Sequence, residues 1–188
     1  MYKKQMTLQR IVCYALLIAS AIVFVYSLGL ATDLYDSLFP YADATKRKYV
    51  EGADIYYNIQ PFNKQLTGAG IALILSAVSL FVFNTHKRRK YYVGNYITIG
   101  LNSALTIGVS VWGIRNVRIY RQMYNNIDFE KLEKLQGMYK NDYDISPFWF
   151  DAGYYVFGFA ILVAVLSLLN LVFKVLVMRG ERKLLEEV

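Results

Sequence analysis

Two apolar runs, 66–83 and 93–114, are separated only by the short segment 84–92, whose centre reads His86-Lys87-Arg88-Arg89-Lys90. At ~1.5 Å of rise per residue, each run is about the length that crosses ~30 Å of hydrocarbon as a helix. A turn this basic resists translocation, so Lys87, Arg88, Arg89 and Lys90 are expected at the cytoplasmic face, touching anionic lipid, with both runs leaving on the other side.

Two further runs of the same kind, 11–32 and 152–173, flank that hairpin. Hydrophobic residues make up 56% of the chain and aromatics 16%, too apolar for an ordinary soluble surface. The expected fold is an all-α integral membrane protein with four transmembrane helices as two hairpins. Short amphipathic helices are expected in both extracytoplasmic loops. The organisation is a single membrane domain over 1–188: cytoplasmic tail 1–10, span 11–32, outer loop 33–65, span 66–83, basic turn 84–92, span 93–114, outer loop 115–151, span 152–173 and cytoplasmic tail 174–188. The first run is too long for a signal-peptide core, and Leu28-Gly29-Leu30-Ala31 is a poor cleavage site, so an uncleaved first span is expected. The localisation that follows is the plasma membrane, with both termini cytoplasmic.

The net charge of +7 does not mark a nucleic-acid binder. The excess sits beside membrane ends, at Lys3, Lys4 and Arg10, in the central turn, and at Lys174, Arg179, Arg182 and Lys183, while the long loops nearly cancel internally. Arg115, Arg118 and Arg121 point the other way, at i+3 spacing just past Ile114. They read as a continuation of the third helix with one basic side. Charge in long loops counts less, which favours the stated topology over its inverse.

Small and polar residues are patterned along two of the spans. Gly68, Ala72 and Ser76 recur every four residues, and so do Gly94, Thr98, Asn102, Thr106 and Ser110, with Gly100, Ala104 and Gly108 as a second strip beside them. Small residues at that spacing let helix backbones approach closely in lipid, and an amide at mid-membrane needs a partner. These positions are expected to pack against protein; the alternative is that the polar stripe lines a permeation path.

Pro40 and Pro61 are expected to break any helix, with an amphipathic helix over 43–59 between them. Asp128 is positioned to cap a second loop helix over 129–138. Phe148, Trp149 and Phe150 form either an interfacial aromatic belt, continued by Tyr154 and Tyr155, or an outward contact platform. Lys174 is expected to snorkel to the interface and Asn170 to be a hydrogen-bonding packing residue.

The absences narrow the function. His86 is the single histidine and Cys13 the single cysteine, so no bis-histidine haem site or disulfide framework exists within the chain, and no metal or cofactor is expected. Asp142 and Asp144 resemble a calcium-loop fragment without its glycine and distal glutamate. No Asp, Glu, Lys or Arg lies in the core of any span, and no phosphate loop, Ser-His-Asp set or HExxH is present. The plan of four spans and two outer loops resembles claudin-like tetraspans in topology only, because the paired outer-loop cysteines are missing.

These features lead to a non-catalytic accessory or assembly subunit of a larger membrane complex, with a transporter as the expected host and other integral membrane subunits as partners. A homo-oligomer is compatible with the pattern. The alternatives are a small self-associating channel lined by the third-span stripe, and a tetraspan whose outer loops bind a ligand or protein.

Overall fold

The computed structural model describes residues 2–38, 55–84, 93–136 and 146–186. They form four long helices, α1 (Tyr2–Leu38), α2 (Ile55–Asn84), α3 (Val93–Asn125) and α5 (Phe148–Glu186), and one short helix, α4 (Phe129–Gln136). No strand occurs among the described residues. All four long helices are long and apolar enough to cross a membrane.

The helices form a ring in which α1 packs on α2 and α5, and α3 packs on α5 and α2; the α2–α3 contact is the smallest of the four. Neighbours run antiparallel. Along α1 and α2, Tyr14 lies against Phe81 and Ser27 meets Thr67 at 3.0 Å. Along α3 and α5, the partners are Tyr96 with Met178 and, at the other end, Arg121 with Asp151 at 3.0 Å. The near end of the bundle therefore gathers the starts of α1 and α3 with the finishes of α2 and α5; the far end gathers the opposite termini.

The surface is inside-out relative to a soluble protein. Ile11, Ile18 and Val25 of α1, Leu75 and Val82 of α2, Ile97 and Leu101 of α3, and Leu162, Leu169 and Leu176 of α5 all point outward. Inside lie Ser20, Ser27, Asn102, Ser103, Thr106, Ser110, Ser167 and Asn170. In hydrocarbon, polar atoms gain by facing each other and apolar ones lose little by facing lipid. The chain is an integral membrane protein.

The helices extend beyond several of the expected span bounds. Residues 1–10 are helix from Tyr2 onward, with Gln5 and Gln9 buried against the bundle. Pro61 does not break α2 but lies within its second turn. Its ring removes one amide donor from the helix, the one at position 61. The Asn58 carbonyl accepts a hydrogen bond from the Tyr120 hydroxyl at 2.9 Å. Burial of Ile55, Ile59, Phe62 and Leu66 holds this first part of α2 in place. The expected helix over 43–59 thus lies outside the described residues up to 54, and beyond that belongs to α2.

At the far end, α3 runs through Arg115, Arg118 and Arg121 to Asn125. The chain then turns sharply, with Ile127 N donating to the Tyr124 carbonyl at 3.2 Å. Asp128 Oδ1 accepts from Lys131 N at 3.0 Å, capping α4, which ends at Gln136. The last helix starts at Phe148 rather than 152, because Ser146 Oγ accepts from Phe148 N at 3.2 Å and Pro147 carries no amide to leave unsatisfied. It ends at Glu186, well past 173.

Candidate functional site: a polar interior and an outward small-residue face

The interior polar groups form two groups along the bundle. Midway, Asn102 Nδ2 donates to Ser76 Oγ at 2.7 Å, joining α3 to α2, and Thr106 Oγ1 donates to the Asn102 carbonyl at 2.9 Å. The stripe therefore faces the chain's own bundle: Asn102, Ser103, Thr106 and Ser110 are buried and Thr98 is half-buried. Asn102 Oδ1, Ser103 Oγ and Ser110 Oγ are buried without a hydrogen-bond partner.

At the near end, Gln5 Nε2 donates to Gln9 Oε1 at 3.3 Å, and the same oxygen accepts from Asn170 Nδ2. Asn170 is thus a hydrogen-bonded packing residue. One turn further along α5, Lys174 is only 2% exposed, with its ammonium 5.4 Å from the centroid of the Tyr96 ring. The expectation that Lys174 snorkels outward is corrected. Because α5 continues to Glu186, Lys174 lies within the apolar segment Phe148–Gly180 and turns inward to an aromatic face. A cation on such a face gains ~0.5–2 kcal/mol, depending on desolvation. Gln5 and Gln9 gave no signal in the sequence, because charged neighbours made the N-terminal segment resemble a tail.

The small-residue strips divide between the bundle and its outer face. A Cβ added at Gly68, Gly100 or Gly108 would meet nothing within 4 Å, and Ala72 and Ala104 are exposed. These strips face away from the bundle; Ser76 alone of its strip turns to α3. The close approach inside the bundle occurs at Gly70, where an added Cβ would lie 2.9 Å from the Phe24 Cα of α1. Two other glycines cradle rings of α5: Gly29 receives Trp149, and Gly113 receives Phe157.

Those rings belong to an aromatic core at the far end. Phe157 meets Tyr26 edge-on at 5.5 Å, Phe62 lies 5.0 Å from Trp112 and 5.6 Å from Tyr120, and Tyr124 contacts Phe129 and Phe150, each at 5.3 Å. The triplet at the start of α5 is consequently split. Phe148 is exposed, Trp149 is seated against Gly29, and Phe150 is buried. Tyr155, at 81% exposure, projects furthest among the outward aromatics of α5. Arg115 and Arg118 are exposed, whereas Arg121 pairs with Asp151. Gly94 and the basic turn at Lys87, Arg88, Arg89 and Lys90 lie outside the residues whose side chains are described, as do Asp142 and Asp144. No three His, Cys, Asp or Glu side chains gather into a metal site among the described residues.

Fold and surface define the class: a four-helix membrane bundle with polar groups set into a largely apolar interior. Comparison with known protein families, curated proteins and solved structures finds no match to this chain.

Proposed function

We propose that this chain is a non-catalytic accessory or assembly subunit of a larger membrane complex, with a transporter as the host. The observation that carries this reading is the outward α2–α3 side of the ring. There Gly68 and Ala72 on one helix and Gly100, Ala104 and Gly108 on the other leave shallow strips that the bundle itself does not use. Such strips admit the backbone of a further helix, which is how association proceeds where lipid competes for every apolar contact. The far end adds the exposed Arg115, Arg118 and Phe148 as extracytoplasmic contacts. In this reading both termini are cytoplasmic, in the plasma membrane, and the 87–90 turn contacts anionic lipid.

Affinity purification from native membrane in mild detergent tests it. A second membrane protein should copurify at fixed stoichiometry; a lone chain would refute the assignment.

The unpartnered oxygens of Asn102, Ser103 and Ser110 favour a second reading, in which the interior opens as a polar path. Asn102→Leu should then abolish flux through reconstituted liposomes. Absence of flux in the parent protein removes this reading.

A further inference from the structure

Beside the near end, an apolar groove of about 360 Å³ opens on the outer surface between α1 and α5. Leu8, Ile11, Val12 and Ala15 form one wall, and Val163, Leu166, Leu169 and Phe173 the other, with Asn170 as the polar residue of the lining. Its size falls in the ~300–1,000 Å³ range of small-molecule sites. Its rims, Leu8, Ile11, Leu166 and Leu169, are exposed, so it opens sideways toward the bilayer rather than into the bundle.

Positive charge is arranged at one end of it. Lys4, Leu8, Val12 and Ala15 share one face of α1, being spaced at i, i+4, i+8 and i+11. The exposed Lys4 therefore stands one turn beyond the apolar wall. On the opposite helix, Lys174 follows Asn170 by one turn, buried, and no carboxylate pairs with it among the described residues.

We infer that this groove binds one acyl chain of an anionic phospholipid, with its phosphate held at the near end by Lys4. A zwitterionic lipid fills the same groove and presents the same phosphate, but its own ammonium cancels that charge, so Lys4 gains less from it. The inference rests on the membrane-spanning fold and not on a partner subunit, so it survives or fails independently of the accessory role.

The test uses the full chain in nanodiscs of equimolar phosphatidylglycerol and phosphatidylcholine, released into detergent and weighed by native mass spectrometry. The parent protein should retain one phosphatidylglycerol, enriched about fivefold over phosphatidylcholine, the scale of one lysine at an anionic surface. Lys4→Gln should retain lipid without the preference. Ala15→Phe should lose the retained lipid while keeping its thermal unfolding midpoint. Should that variant misfold, Leu8→Trp at the exposed rim tests the same filling. No retained lipid in the parent, equal retention in the filled variant, or an unchanged preference in Lys4→Gln would each overturn the proposal. So would a cross-link showing a protein helix seated in the groove.

Discussion

Between helices in a bilayer, apolar burial discriminates poorly, because lipid tails are as apolar as leucine. Specificity then falls to single polar atoms and to missing methyl groups. Gly70 and Gly68 sit two positions apart and differ completely in this respect: one faces the α1 backbone, the other faces outward with nothing near. Gly70→Ala should therefore destabilise the bundle by about 1–3 kcal/mol, the usual cost of overpacking. Gly68→Ala should be neutral, or stabilising by up to about 1 kcal/mol from helix propensity alone. Reversible unfolding in mixed micelles measures both. The bond from Asn102 to Ser76 is a second test. A double-mutant cycle with Asn102→Leu and Ser76→Ala should give a coupling of about 0.6 kcal/mol, and additive effects would show that the pair does not interact. Asn102 was legible as a protein-facing residue, since a polar residue every fourth position cannot face lipid; that it meets its own bundle was not. Gly70 was not, because Gly68-Ala69-Gly70 offers three neighbouring faces and nothing local says which one meets α1. Lys174 was hidden by the same ambiguity: where a span ends decides whether a lysine snorkels or is buried.

At the scale of elements, the four apolar runs were readable by length and composition, and their ends were not. Each helix continues past its apolar run because backbone groups remain best satisfied within a helix. One end did carry a usable signal: Ser146-Pro147 supplies a side-chain cap and a first-turn proline, which places the start of the last helix at Phe148. Pro61 shows the opposite case, a local helix-breaking signal overridden by tertiary packing. Ile55 and Ile59, before the proline, and Phe62 and Leu66, after it, are all buried. Pro61 itself is exposed, so its ring contributes little packing. Pro61→Ala should thus raise the thermal midpoint by restoring a helical amide at position 61. A lowered midpoint would mean that the proline itself sets the path that brings Ile55 and Ile59 into the core.

For the whole molecule, the ring arrangement gives the chain two different kinds of surface. The α1–α5 side carries the lipid-sized groove with Lys4 at its end, and the outer faces of α2 and α3 carry the small-residue strips. In the proposed orientation the near end is cytoplasmic, held there by the basic turn. Replacing Lys87, Arg88, Arg89 and Lys90 with glutamine should produce a mixed population of orientations, read by reagent accessibility of a C-terminal tag in sealed vesicles; a single unchanged orientation would show that other charges set it. The central claim concerns the α2–α3 side, and photo-cross-linking in native membranes tests it most directly. A photoreactive residue at Ala104 should capture a second membrane protein at fixed stoichiometry, while one at Leu162, outward on α5, should capture lipid. Lipid adducts alone at Ala104, or adducts only to another copy of this chain, would contradict the account.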